Sequence, residues 1–143
     1  MSGLTLTKDV LTDFGYTIRS EVVDLSSQNI GDIAINAFED HEQLTKINLS
    51  GNQIEFIPLG AFSQNAKLTD LSLANNKLRA FHADVLNGAV GLETLDLSGN
   101  PLESFDVSLT ETLCLQSLNL DNTGVAAHVQ LKRVGRCLRA TWV

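Results

Sequence analysis

The sequence predicts a repeat protein of the α/β class, in which stacked units of about 24 residues share one core. Three observations predict this fold class. The segments LTKINLSGNQI (44–54), LTDLSLANNKL (68–78) and LETLDLSGNPL (92–102) place aliphatic residues and asparagine at matching positions. The unit restarts at Leu44, Leu68, Leu92 and Leu115, with spacings of 24, 24 and 23 residues. Self-similarity at a fixed period of roughly 20–50 residues is typical of stacked repeat architectures.

Length and composition limit the function classes. A chain of 143 residues fits one domain, and its 43% of hydrophobic residues can build a substantial core. The net charge of −7 argues against nucleic acid as a partner, because such binders need a basic stripe to displace phosphate counterions. No apolar run approaches the ~20 residues that span a bilayer, so we expect no membrane insertion. The start MSGLTLTKDV lacks the basic and apolar regions of a signal peptide.

Each unit contains a short strand with one buried face. Its fourth and sixth positions are aliphatic and alternate with polar residues, which is the period of a half-buried strand. Asn52, Asn76 and Asn100 occupy the ninth position. A buried amide carries donors and an acceptor, and therefore must bond to neighbouring backbone. We predict that the aliphatic residues fill the shared core and that the asparagine holds the turn that leaves each strand.

This spacing resembles the leucine-rich repeat, LxxLxLxxNxL, in its 24-residue "typical" subclass. That subclass includes Toll-like receptors, variable lymphocyte receptors and insect immune leucine-rich proteins. The resemblance implies a right-handed solenoid with a parallel sheet on its concave side and phenylalanines stacked on its convex side. Further apolar residues lie at position fourteen and near position nineteen of the units: Ile33, Ile57, Phe81 and Phe105, then Phe38, Phe62 and Leu86.

The two ends depart from the repeat. We expect about five units, starting near residues 20, 44, 68, 92 and 115, and a partial unit from 138. Residues 1–19 are predicted to form an N-terminal cap over the open edge of the first strand. Within it, Thr7 caps a short helix through Phe14 and Gly15 ends the helix. Residues 129–143 interleave apolar and basic residues, as in an amphipathic helix interrupted by Gly135. We favour a solvated face of the last unit over a docking surface.

Cys114 and Cys137 both immediately precede the first leucine of a unit. Neighbouring strands lie about 4.8 Å apart, within the ~4.4–6.8 Å Cα separation of disulfides. A disulfide between the two is therefore one interpretation. The other, which we favour, is a pair of buried thiols stacked in the core.

Strand alternation identifies the outward residues of the sheet as the candidate partner-binding surface. Acids outnumber bases six to one among the outward positions, which favours a basic protein ligand. The same surface lacks aromatic and arginine residues, the common hot-spot types. A competing interpretation is that these are merely solvated strand residues. The candidate binding residues are Glu21, Asp24, Lys46, Asn48, Asp70, Ser72, Glu93, Asp96, Asn119 and Asp121.

The sequence offers no pattern for catalysis, a cofactor or a metal. Its three histidines share no metal-ligand spacing, and no CxxC, HExxH or phosphate-binding glycine loop is present. We therefore predict a non-catalytic protein-interaction module. The resemblance to the family places it in an extracellular, secreted recognition or innate-immune protein. The alternative is a structural element that self-associates or docks through its C-terminal end, particularly through an open strand at LRATWV (138–143).

Overall fold

The computed structural model describes residues 3–143, so Met1 and Ser2 of the predicted cap lie outside the described part. No helix among the described residues has the length and apolar character needed to cross a membrane. In chain order the elements are β1 (Leu4–Leu6), α1 (Lys8–Asp13), β2 (Val22–Asp24), β3 (Ile30–Ile33), β4 (Lys46–Asn48), β5 (Asp70–Ser72), a 3-10 helix (Ala83–Leu86), β6 (Thr94–Asp96), α2 (Leu109–Thr112), β7 (Ser117–Asn119), β8 (Val129–Val134) and β9 (Cys137–Trp142).

The repeats stack a parallel sheet of five strands in the order β2-β4-β5-β6-β7. The register aligns equivalent positions, so that Ile47, Leu71, Leu95 and Leu118 form one row. These residues and those at the sixth position are buried in one continuous core. The rings of Phe38 and Phe62 stack farther along the units, with centroids 5.6 Å apart. The α/β repeat solenoid with a parallel sheet is therefore confirmed.

The ninth-position asparagines link each unit to its predecessor. Asn76 is buried, and its Nδ2 donates to the carbonyls of Leu49 and Leu73, both at 3.0 Å. Its Oδ1 accepts from the N–H of Ile54 at 3.1 Å. Asn52 and Asn100 bond in the same way. The asparagine column therefore holds the turns as predicted, and it satisfies backbone groups that no strand ladder reaches.

The residue before each of these asparagines has left-handed backbone. The φ angles of the eighth-position column lie between 54° and 71°, a region that favours glycine and tolerates asparagine. This explains why glycine and asparagine fill most of the column. Its members are Ser27, Gly51, Asn75, Gly99 and Asn122.

The N-terminal segment lies against the first unit. Thr7 caps α1 by accepting from the N–H of Val10 at 3.2 Å, and Gly15 follows the helix with φ of 94°. Strand β1 pairs in parallel with β3 rather than with β2. The edge of β2 is instead met by Tyr16, whose hydroxyl donates to the carbonyl of Asp24 at 2.9 Å and accepts from its N–H at 3.0 Å. One phenol thus occupies backbone groups that an open edge would present to another chain.

The C-terminal segment corrects two sequence predictions. Residues 129–143 form no amphipathic helix, and the strand that contains residue 138 does not join the repeat sheet, as the partial unit expected there would. Strands β8 and β9 pair as an antiparallel hairpin instead, in a sheet of their own. Gly135, with φ of 63°, takes the first central position of the two-residue turn, where a type II′ hairpin turn requires glycine. The buried residues Leu138 and Ala140 of β9 pack on the end of the core.

Strand β9 is not an open edge. The N–H of Leu138 donates to the carbonyl of Leu115 at 2.8 Å, and that of Ala140 donates to Oγ1 of Thr110 at 2.9 Å. The structure also joins Cys114 and Cys137 in a disulfide, with Cα atoms 4.7 Å apart, and Cys114 is exposed. The favoured interpretation of buried thiols therefore fails, because position 114 faces solvent at the end of the solenoid.

Candidate functional site

The concave face of the sheet is built from the third-position residues of the strands. In register they form the row Val22, Lys46, Asp70, Thr94 and Ser117. Their neighbours toward the core are the buried fourth-position aliphatics, which fix the backbone beneath them. A shallow groove of about 340 Å³ runs over strands β2, β4, β5 and β6. The surface is therefore a polar layer on a rigid apolar support.

The fifth-position residues have a structural role that the sequence analysis did not assign. Oδ1 of Asp96 accepts from both the N–H of Ser98 at 2.9 Å and its hydroxyl at 2.6 Å. Asp24 holds Ser26 in the same way. In Asn48 and Asn119 the amide oxygen accepts from the N–H two residues later, at 3.0 Å and 2.9 Å. These short polar side chains cap the turn after the strand and leave the second oxygen or the amide nitrogen toward solvent.

Hydrogen bonding also affects the charge state of the fifth-position residue Asp24. The hydroxyl and N–H of Ser26 stabilise the charged form of Asp24 and lower the pKa of that carboxyl below its ordinary value of 3.8. Asp24 therefore stays ionised throughout the physiological range. The sequence contained a signal for this capping: the two units with Asp at position five, Asp24 and Asp96, both have Ser at position seven.

The remaining candidates flank the strands. Glu21 and Glu93, at the second position, are exposed at one margin of the sheet, and Asp121 is exposed at the other. Ser72 is half-buried and accepts only a long bond of 3.5 Å from the N–H of Ala74. The repeat therefore brings all ten candidate residues onto one face or its margins.

Lys46 is the only base of the concave face, and it lies next to Asp70 across the strands β4 and β5. Within residues 3–143 it forms no ion pair, while Asp70 accepts from the hydroxyl of Thr69 at 2.7 Å. The ion pairs of the described chain lie elsewhere, between Lys8 and residues Glu39 and Asp40, and between Arg79 and Glu103. The acids of the concave face are thus left without cationic partners.

A second surface feature was missed at the sequence level. Phe56 and Leu59 are 64% and 54% exposed and border an apolar pocket of about 410 Å³ that Arg79 and His82 also line. Phe56 precedes the buried fourteenth-position residue Ile57, and an aromatic residue beside a core position was the available signal. No group of three or more His, Cys, Asp or Glu within the described range has the arrangement of a metal site.

Solved structures of leucine-rich repeat proteins resemble the chain. The leucine-rich repeat domain of APL1 is 26% identical, with a TM-score of 0.75 over 83% of this chain and 31% of its own. A match in the LRIM1/APL1C complex has the same identity and TM-score, over 83% of this chain and 22% of the matched chain. TLR13, solved in complex with ssRNA13, is 27% identical, with a TM-score of 0.62 over 70% of this chain and 14% of its own.

These matches confirm the predicted resemblance to insect immune and Toll-like leucine-rich repeat proteins. The chain spans about a third or less of the solved chains it matches. No curated protein sequence matches it significantly. The fold is an interaction scaffold that is not typically enzymatic. The family model described as leucine rich repeat matches residues 21–78 and 66–125, which together cover most of the sequence. The chain therefore belongs to the leucine-rich repeat family.

Proposed function

We propose that the chain is a non-catalytic protein-interaction module of an extracellular recognition or innate-immune protein, and that it binds a basic protein segment on its concave face. The observation that carries this proposal is the charge of that face and its margins, where there are six acids and one base, Lys46. The strands beneath are fixed by the core and by the asparagine column, so binding orders little additional backbone.

The comparisons support a protein partner at the level of the family. The LRIM1/APL1C structure is a complex of two proteins. TLR13 was solved with a single-stranded RNA, so family membership alone does not favour protein over nucleic acid. For this chain, charge supports a protein partner, because an acidic concave face repels phosphates and attracts lysine and arginine side chains.

The test neutralises the concave acids without disturbing the turns. Asp70→Asn with Asp96→Asn removes two charges, and asparagine at the fifth position keeps the turn cap, as it does in Asn48 and Asn119. Glu42→Gln with Glu111→Gln removes two exposed charges away from the concave face and serves as the matched control.

Each protein is immobilised and exposed to extracellular fluid, and the captured proteins are compared. We expect basic proteins that the unaltered chain and the control both retain and that the concave variant loses. Their capture should weaken as salt is raised, since exposed charges are screened within about 10 Å at 0.1 M salt. Equal capture by both variants would reject the concave face as the binding site.

A further inference from the structure

The C-terminal hairpin has one covered edge and one open edge. In a two-residue hairpin the pair next to the turn, Val134 and Cys137, exchanges hydrogen bonds, and so does every second pair beyond it. The N–H and C=O groups of the intervening residues point away from the hairpin. On β9 these outward N–H groups belong to Leu138 and Ala140, which bond to the solenoid, and to Trp142 at the end of the strand, which has no acceptor among residues 3–143. The outward groups on β8 belong to Val129, Leu131 and Arg133, and they have no partner among residues 3–143.

Strand β8 is also long and exposed compared with the strands of the concave sheet. It spans six residues, whereas those of the concave sheet span three, and every β8 residue after Val129 is exposed. Its open groups repeat every second residue, a spacing of about 6.8 Å. An extended peptide offers donors and acceptors at that spacing, while a glycan or a nucleic acid does not.

The charge around this edge is opposite to that of the rest of the chain. Lys132, Arg133, Arg136 and Arg139 lie on the hairpin, and no acid follows Asp121. The rest of the chain contains 6 basic and 17 acidic residues. Register places Lys132 directly opposite Arg139, a like-charge pair that costs stability in a hairpin. In the described chain, none of the four hairpin cations takes part in an ion pair.

We propose that the open edge of β8 is a docking site for an acidic, extended segment of a partner protein, which adds to the hairpin as a third strand. Backbone bonds to residues 129, 131 and 133 provide affinity, and acids opposite Lys132 and beside Arg136 provide specificity. The same cations disfavour a second copy of this chain, because its own β8 would bring lysine and arginine against them. The site is separate from the concave face.

Side-chain hydrogen bonds and the disulfide hold the hairpin in place. Nη2 of Arg133 donates to the carbonyl of Gln116 at 3.0 Å, and Nη1 donates to the carbonyl of Arg136 at 3.1 Å. The disulfide ties the first residue of β9 to Cys114, the residue that precedes the last unit. A partner strand therefore meets an edge that is already ordered, and most of the ordering cost falls on the incoming segment.

The test uses amide hydrogen exchange on the isotope-labelled chain. The probe is a short capped peptide in which glutamate alternates with valine. We expect it to slow exchange at Leu131 and Arg133, whose N–H groups gain acceptors. The amides of Lys132 and Val134, already bonded inside the hairpin, should change little. The same peptide with lysine in place of glutamate should not bind, and neither should a version with proline in place of valine.

Two variants separate backbone pairing from charge attraction. Leu131→Pro removes one outward N–H and leaves the hydrogen bonds inside the hairpin in place. It should lower the affinity for the probe peptide by at least about tenfold. Leu131→Ala, the matched control, keeps that N–H and should bind nearly as well as the unaltered chain. Lys132→Glu with Arg136→Glu leaves the edge intact and should reverse the preference toward the lysine peptide.

Three results would overturn the proposal. One is binding of the probe without slower exchange at Leu131 and Arg133. Another is equal slowing of those amides by dextran sulfate, which would make the edge a general polyanion site. The third is concentration-dependent protection of β8 in the chain alone, which would make the occupant a second copy.

Discussion

At some positions of this solenoid, the backbone dihedral angles restrict the residue type as much as side-chain contacts do. The eighth-position column requires positive φ in every described unit, and glycine fills it twice. Ser27 is the least suited of its residues, because a side chain with a Cβ in left-handed backbone costs about 1–2 kcal/mol. The other units carry glycine or asparagine at this position.

We therefore expect Ser27→Gly to raise the free energy of unfolding by about 1 kcal/mol, less the entropy that glycine adds to the unfolded chain. Gly99→Ala should lower it by a similar or larger amount. Its φ is 71°, and the new Cβ would run into the side chain of Asn75 in the neighbouring unit. Urea unfolding followed by circular dichroism measures both changes. Opposite signs support the backbone argument, and a destabilised Ser27→Gly variant would contradict it.

At the scale of elements, the sequence predicted what repeats and missed what occurs once. Asn52, Asn76 and Asn100 recur at one spacing, and each needs neighbours that only a stacked unit supplies, so their role followed from the pattern. The hairpin did not follow. Its alternation of apolar and basic residues fits a strand as well as a helix face, and Gly135 reads as a helix break or as a turn residue. The strand is favoured because it lets Leu138 and Ala140 cover the end of the core, which would otherwise be exposed.

The candidate site was predictable to a similar degree. Period two in the strands places Asp70 and Lys46 on the outward face, and the register brings them side by side. The turn-capping role of Asp96 depends on the backbone path after the strand, which a period does not specify. The sequence left two interpretations for Cys114 and Cys137, a disulfide or buried thiols. Their spacing predicts how far apart the two Cα atoms lie, but it does not predict whether the side chains are exposed to solvent.

The disulfide should matter most for the hairpin. It closes a loop with a sequence separation of 23 residues, for which loop-closure entropy gives about 3 kcal/mol of stabilisation. We expect Cys114→Ser with Cys137→Ser to lower the free energy that is needed to open the hairpin by about that amount. Exchange at Lys132, inside the hairpin, should accelerate far more than exchange at Leu71 in the middle of the sheet. Equal acceleration at both amides would mean that the hairpin and the solenoid open as one unit.

At the scale of the whole molecule, two opposing effects accompany acidification. The chain carries a net charge of −7 at pH 7 and has a pI of about 4.7, so lowering the pH toward 5 relieves self-repulsion and favours the compact state. His41 acts in the other direction. Its side chain is buried, and no partner in the described chain bonds to its Nδ1. Burial lowers the pKa of His41 below its ordinary value of 6.5; Asp40 raises it and Lys8 lowers it, each by less.

The sign of the histidine effect follows from proton binding. Because the pKa of His41 is lower in the folded chain, the unfolded chain binds the extra proton first as the pH falls. Stability from this residue is therefore complete above pH 6.5 and is lost below it, with a slope of at most about 1.4 kcal/mol per pH unit. His41→Asn removes the titrating group and matches Asn65, which stands 24 residues later in the next unit. In urea unfolding at pH 7.5 and pH 5.5, the unaltered chain should lose stability relative to this variant, while the self-repulsion effect is common to both and cancels. Parallel pH dependence of the two chains would show that His41 keeps the same proton affinity when the solenoid unfolds.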